Sequence, residues 1–457
     1  MGIKVVILAA GKGQRMTSTL PKVLHLIGGK PMLQHVVDTA YSIEPEEVFV
    51  VYGAGGDQLR QALPSLNVTW IEQKEQLGTG HAVRQVLPHL KTEDQVLVLY
   101  GDVPLISVRL LKQLLLDTPH GGLGLVVTEL ANATGFGRII RNEVGNIVAI
   151  VEHKDAKDWQ LDIREVNTGI IASPACFLLE HLGELKNQNS QKEYYLTDMV
   201  SLAVEHGLPV GGVLAHQPEE VLGVNDRWQQ AKLERFYQRK QAKKLALLGV
   251  RIADFNRIDV RGELSIGMDS FVDINAVFEG NVKVGRNCII GPNVSLKNTT
   301  IGDNVTVLAC SHIEGARIES NATIGPFARL RPGTLIADGA KAGNFVEIKN
   351  AELGVNSKVN HLSYIGDALI EKDVNIGAGT ITCNYDGVNK HKTHIASNAF
   401  VGSNTSLVAP ITIGKNATVA AGSTVTKNVP SDKLVIERSS QQVVEGWTRP
   451  SKQTNKV

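Results

Sequence analysis

The sequence predicts an α/β fold in three pieces: an N-terminal Rossmann-like domain with a mainly parallel sheet, one long linker helix, and a C-terminal parallel β-helix. Three observations predict it. Short continuous apolar runs alternate with helical patterns up to about residue 225. The stretch 226–248 then carries no glycine or proline. From residue 249 onward aliphatic residues recur every six positions. A chain of 457 residues exceeds what one core usually covers. The expected boundaries are 1–227, 228–248 and 249–457.

In the first part, residues 3–9 form an apolar run suited to a strand buried on both faces. Runs at 47–52, 95–100 and 123–128 repeat that character, with helical patterns at 32–42 and 109–116 between them. Strands alternating with helices imply a parallel sheet. In the linker, Leu233, Phe236, Tyr237, Leu245 and Leu248 fall at helical spacing, with Asp226 as a start cap and Gly249 as a stop.

In the last part the register is clear at Ile395, Val401, Leu407, Ile413, Val419 and Val425. Earlier copies begin at Val284, Ile290, Ile301, Ile318, Ile324, Leu353, Ile365, Ile370 and Ile376, each followed by Gly or Glu. A six-residue period fits a triangular solenoid in which the aliphatic points inward and the next residue turns a corner. The register is lost across 383–394, reading CNYDGVNKHKTH, and a polar insertion there must loop out. Forty-four glycines and 5% aromatics suit such tight corners.

The formal charge is +1, from 47 basic and 46 acidic side chains, which argues against a broad surface for nucleic acid or anionic membrane. No apolar run approaches the roughly 20 residues of a membrane span. The N-terminal run is too short for a signal segment, and Val6 does not suit myristoylation at Gly2. Cys176, Cys288, Cys310 and Cys383 form no C-x-x-C pair and are expected to be reduced thiols. The expectation is a cytoplasmic protein with a frayed tail at 451–457.

The motif with most chemistry is residues 8–16, LAAGKGQRM, followed by Pro21 and Lys22. A Gly-rich turn after a buried strand brings backbone N–H groups close to phosphate oxygens. It is not a Walker A loop, and Met16 occupies the third Gly position of a dinucleotide fingerprint. The full string of Gly11, Gly13, Arg15, Met16, Pro21 and Lys22 resembles the signature of sugar-1-phosphate nucleotidyltransferases. The resemblance implies that Leu8, Ala9, Ala10, Gly11 and Lys22 bind a nucleoside triphosphate, with Arg15 and Lys22 neutralising its phosphates. It also implies that Gln73, Gly78 and Thr79 hold the base. Tyr100, Gly101 and Asp102 would end a strand at the site, with Mg²⁺ on Asp102 and Asn225. Gly137, Glu152 and Asn167 would bind the sugar.

The solenoid carries polar residues that a passive scaffold does not require. Arg331 and Lys349 are 18 residues apart, three hexapeptides, so they stack on adjacent coils and suit a phosphate. His361 follows Lys349 by 12 residues, on another side of the coil. From residue 3 to about 450 the chain resembles the bifunctional family that joins a UDP-N-acetylglucosamine pyrophosphorylase to a glucosamine-1-phosphate N-acetyltransferase. That resemblance implies a left-handed β-helix and a homotrimer with acetyl-CoA between subunits. It gives His361 as the general base, a role for which neutral imidazole is suited. Arg331, Lys349, Tyr364 and Asn375 would hold glucosamine-1-phosphate. Asn384 and Tyr385 would touch sugar and cofactor, and Ala378, Ser403, Ala421 and Arg438 would line acetyl-CoA. Acetyl transfer would come first. Uridyl transfer from UTP to N-acetylglucosamine-1-phosphate would follow, releasing pyrophosphate and feeding peptidoglycan and lipopolysaccharide precursors. The partners would be small molecules and two further copies of the chain, without nucleic acid or membrane insertion. An alternative stays open: a nucleotidyltransferase alone, whose β-helix regulates or oligomerises, as in glucose-1-phosphate adenylyltransferases.

Overall fold

A computed structural model describes residues 2–11, 13–53 and 55–450. The expected frayed tail, 451–457, and Lys12 of the signature string lie outside the described residues. The chain divides into two compact units, residues 1–241 and 242–457.

The first unit is built on a nine-stranded sheet. Ile3–Leu8 lies at its centre, parallel to Glu47–Tyr52 on one side and Gln95–Tyr100 on the other. Thr69–Glu72 extends the first side. Val5 and Ile7 enter one apolar core, Val6 and Leu8 the other, which is the period of two expected of a strand covered on both faces. The helix Met32–Tyr41 packs Leu33, Val36, Val37 and Ala40 on the first core, and Met199–Glu205 packs Met199, Val200 and Ala203 on the second. The sheet is not uniformly parallel. Glu165–Pro174 inserts antiparallel between Gln95–Tyr100 and Leu123–Glu129, and a hairpin of Arg138–Arg141 with Ile147–Val151 branches from it. Leu8 and Tyr100 both end at the carboxyl edge, so the loops after them converge there.

The long helix is Arg227–Leu247. Asp226 Oδ1 accepts the Gln229 N–H at 2.8 Å, the side-chain cap its position predicts. Gly249, at φ 91°, closes the other end. Its N–H donates to Ala246 O and the Val250 N–H to Leu245 O, each at 3.1 Å, the two bonds of a Schellman motif. Leu233 packs with Met16, Ile27 and Met32 in the first unit, while Ala242 and Leu245 join the core of the second. Leu248, expected on the packed face, lies beyond the last turn and is exposed.

The second unit is a parallel β-helix with three faces. Ile301 pairs with Ile318 and Leu330 with Ile348, so a coil takes 17 or 18 residues, three hexapeptides. The aliphatics of the six-residue register, from Val284 to Val425, are all buried in one continuous core. At one corner, Asn304 donates to Asn321 and Asn321 to Asp338, a side-chain ladder whose Asn members hold the left-handed backbone that tight corners demand. The insertion at 383–394 lengthens one coil, so that Ile376 pairs with Val401. Among the described residues no helix is long and apolar enough to cross a membrane.

Candidate active sites

In the first unit the loops after Leu8 and Tyr100 enclose a cleft of about 770 Å³. Gly13, at φ 59°, folds the glycine loop over Lys22; a Cβ there would lie 2.9 Å from the Lys22 Cβ. Leu8, Ala9, Ala10, Gly11, Arg15 and Lys22 line this wall, with Arg15 exposed at its edge. Asp102 follows the neighbouring strand, and its carbonyl accepts the Val224 N–H at 3.0 Å, which brings Asn225 alongside. Lys22 Nζ forms an ion pair with Asp102 and donates to Asn225 Oδ1 at 3.2 Å. The Lys22 and Asp102 side chains are only 14% and 15% exposed. Two hard oxygens thus converge on one cation position, occupied by the Lys22 ammonium. The donor set fits Mg²⁺, which takes one or two protein oxygens and completes its shell with phosphates and water.

The opposite wall holds Gln73, Gly78 and Thr79. Gln73 is buried and donates to Gly78 O at 3.1 Å. Gly80 N–H donates to Tyr194 O and Tyr194 N–H to Leu77 O, both at 2.8 Å, so a second segment braces this loop. Gln76 also lines the cleft, and its Oε1 is buried with no protein partner.

Tyr100 lines the cleft, and burial, with Glu152 and Asp102 nearby, pushes its phenol well up, so the hydroxyl stays neutral. Gly101 donates its N–H to Leu8 O at 2.9 Å and ties the two strand ends together. Gly137, Glu152 and Asn167 come together as a group: Asn167 N–H donates to Gly137 O at 2.9 Å, and a Cβ on Gly137 would lie 3.4 Å from Glu152 Oε1. Glu152, however, lines a separate cavity of about 360 Å³ with Asp155, Tyr195 and Asp198. Burial raises the Glu152 carboxyl, and burial with Asp155 pushes Asp198 up to about 6.

In the second unit, Arg331 and Lys349 align on adjacent coils, where Arg331 N–H donates to Ile348 O. Arg331 also pairs with Glu347 at 2.9 Å. A third cation joins them. The 383–394 loop folds back through a Tyr385–Lys390 bridge, and the Lys390 ammonium, with Arg331, pulls the Lys349 pKa down. Lys390 was not singled out from the sequence, since its position depends on the loop's course. Asp367 anchors the loop by accepting from Asn350 and Asn384. Burial alone would raise its carboxyl, but those bonds and the Lys390 and Lys349 ammoniums hold it below the usual range. Tyr364 OH and Asn384 Nδ2 both crowd Gly366, where a Cβ would meet them at 2.5 and 2.9 Å.

His361 ends the strand Lys358–His361 at the corner leading to Tyr364–Gly366. Its strand belongs to a different sheet from Lys349. Its Nδ1 lies 2.5 Å from Asn344 Oδ1. An amide oxygen only accepts, so Nδ1 carries the proton and Nε2 presents its lone pair outward. Asn375 sits one coil beyond, paired with Lys358. The same corner changes character at His361. Below it the left-handed position holds Phe327, Phe345 and Leu362, exposed by 50%, 54% and 64%, with the two phenylalanine rings stacked at 5.2 Å. Above it the same position holds Gly379, Asn404 and Gly422. Ala378, Ser403 and Ala421 stand beside these on successive coils. Ala378 O accepts from Asn404 and Ser403 O from Gly422, while Ala421 O accepts from Arg438 Nη1 at 2.7 Å.

Comparison with known proteins agrees with this division. The MobA-like NTP transferase domain family matches residues 5–184, and the bacterial transferase hexapeptide family, of six repeats, matches 264–298 and 392–427. The chain is 57% identical over 453 residues to the bifunctional protein GlmU of Coxiella burnetii, covering 99% of this chain and 100% of that one. It is 54% identical to the GlmU of Marinobacter nauticus and 52% to that of Idiomarina loihiensis, each over 450 residues, 98% of this chain and 99% of theirs.

Proposed function

This chain belongs to the family of bifunctional GlmU proteins, and from that premise we propose how its residues divide two reactions. The enzyme acetylates glucosamine-1-phosphate and transfers a uridyl group to N-acetylglucosamine-1-phosphate, so the single-activity alternative is not supported. The observation that carries the residue assignment is that each unit offers cations for a phosphate beside a distinct reacting group. These are Lys22 with Asp102 and Asn225 in one unit, and Arg331, Lys349 and Lys390 with His361 in the other.

For uridyl transfer, the backbone N–H groups of the glycine loop and Arg15 hold the triphosphate of UTP. Gln73 and the unpartnered Gln76 acceptor meet the base edge. Asp102 and Asn225 would hold Mg²⁺, which would supply charge neutralisation at the phosphates. Lys22 then turns from Asp102 to the phosphates, and the phosphate of N-acetylglucosamine-1-phosphate attacks the α-phosphorus as pyrophosphate leaves. Gly137, Glu152 and Asn167 hold the sugar. Gly78, at φ 112°, tests this wall: a Cβ would sit 2.6 Å from Tyr194 O and 2.8 Å from its N. Strain of about 1–3 kcal/mol predicts that Gly78→Ala weakens UTP binding by roughly tenfold or more, while acetyl transfer stays unchanged. Calorimetric titration of UTP into the variant measures it.

For acetyl transfer, Arg331, Lys349 and Lys390 are three mutually repelling cations whose repulsion a sugar phosphate relieves. Tyr364, Asn375, Asn384 and Tyr385 orient the sugar. Nε2 of His361 takes a proton from the amino group, which then attacks the thioester carbonyl of acetyl-CoA; the thiolate leaves and is protonated. The small-residue corner from His361 to Arg438 spans four coil steps, about 19 Å at about 4.8 Å each. That suits an extended pantetheine arm lying along Ala378, Ser403 and Ala421 with a CoA phosphate at Arg438. The exposed Phe327, Phe345 and Leu362 below it support a trimer packed along this corner, since a large apolar column marks an association surface. Four free cysteines are consistent with a cytoplasmic enzyme.

Asn344 provides a specific test of the His361 assignment. Asn344→Leu removes the acceptor that fixes the ring, and acetyl transfer falls about 10- to 100-fold. Asn344→Asp keeps an acceptor but stabilises imidazolium, so the acidic limb of the pH–rate profile moves to higher pH. The overall reading is tested by supplying the full chain with glucosamine-1-phosphate, acetyl-CoA, UTP and Mg²⁺. One equivalent each of free thiol, pyrophosphate and UDP-N-acetylglucosamine is expected; thiol release without acetylated sugar would refute it.

A further inference from the structure

Three side chains that neither reaction uses converge in the first unit. The helix Ala175–His181 and the turn Leu182–Glu184 supply His181 and Glu184, and His206 caps the end of Met199–Glu205. His181 Nδ1 lies 2.7 Å from Glu184 Oε1, and His206 Nε2 lies 3.9 Å from Glu184 Oε2. The two imidazoles stack, with ring centroids 4.0 Å apart and planes inclined by 32°. One ligand atom from each residue falls within 4.8 Å of the others. Ligands bonded to zinc at about 2.0–2.1 Å stand roughly 3.3 Å apart in a tetrahedron. Glu184 and His206, the two members that must move to close that difference, are 49% and 43% exposed. His181 is the fixed member: its side chain is 12% exposed and packs on Phe177 with ring centroids 4.9 Å apart.

We propose that His181, Glu184 and His206 form a binding site for a divalent transition ion of the zinc class, additional to the Mg²⁺ position at Asp102 and Asn225. Two imidazoles and one carboxylate are the donor set of such ions, and they leave an open position for water. Glu180 Oε2, 3.7 Å from His181 Nε2, offers a further carboxylate beside the site.

The site clasps the two ends of the segment 184–206. Between them lie Tyr194, which bonds to Leu77 and Gly80, and Leu196, whose N–H donates to Thr79 Oγ1 at 3.0 Å. A bound ion therefore stiffens the segment that braces the base-holding loop.

The test uses the metal-free full chain. Calorimetric titration with Zn²⁺ is expected to show one tight equivalent that Mg²⁺ does not displace, and Co²⁺ in its place should give the absorption of a low-symmetry N/O site. His206→Ala, an exposed position that leaves the fold intact, should weaken Zn²⁺ binding by at least about 100-fold. Asp102→Asn should leave it unchanged, which separates this site from the Mg²⁺ position. No stoichiometric Zn²⁺ binding, or binding that His206→Ala leaves intact, overturns the proposal.

Discussion

Replacing His361 with alanine is expected to lower acetyl transfer by a factor of about 10²–10⁴, the usual contribution of a positioned general base. Uridyl transfer should be unaffected. His361 is exposed at a β-helix corner, and its backbone N–H and C=O stay in the coil ladder, where its carbonyl accepts from Gly379. Removing the ring therefore leaves no buried group unpaired and no cavity. The variant should melt within a degree or two of the parent. The loss should lie in kcat, since the proposed phosphate cations Arg331, Lys349 and Lys390 are untouched. Raising pH should restore part of the rate, because a substrate amine already deprotonated in solution needs no base. Thiol release from acetyl-CoA, followed as a function of pH in both proteins, measures this.

Lys22→Ala should give the opposite pattern. Uridyl transfer is expected to fall about 10²–10³-fold, the scale of losing one preorganised charge at a developing anion, with acetyl transfer retained. The geometry adds a second effect. Lys22 neutralises Asp102 in a setting where both side chains are mostly buried. Without it the carboxylate stands uncompensated beside Asn225, so nucleotide-free protein should bind Mn²⁺ more tightly even as turnover collapses. Pyrophosphate release reads the first effect and paramagnetic titration with Mn²⁺ the second. Lys22→Arg should recover little of either, since a planar guanidinium cannot take the place of a compact ammonium between two oxygens.

Much of this was legible in the sequence because the strongest signals are local and periodic. A six-residue aliphatic repeat has one compact solution, and residues such as Ile395, Val401 and Leu407 are buried where the repeat places them. The glycine loop and Asp102 follow apolar runs whose parallel pairing brings their ends together. What was not legible depends on pairing between distant segments. The strand Glu165–Pro174 is apolar enough to be buried, but its direction is set by its neighbours. Lys390 joins Arg331 and Lys349 only because the 383–394 loop folds back on Asp367. Asn344 reaches His361 by stacking one coil below it, 17 residues away in sequence. Glu152 lines the cavity next to the main cleft, close enough to Tyr100 to raise its phenol, a proximity that only the fold sets.

The central claim is that one chain carries two chemically separate sets of site residues, one for each reaction. Mixing His361→Ala with Lys22→Ala protein tests it most directly, with each variant first shown to keep its own remaining half-reaction. Given glucosamine-1-phosphate, acetyl-CoA, UTP and Mg²⁺, neither variant alone should yield UDP-N-acetylglucosamine at an appreciable rate. The mixture should yield it after a lag, as N-acetylglucosamine-1-phosphate accumulates from one protein and is consumed by the other. A mixture as inactive as its components would contradict the account.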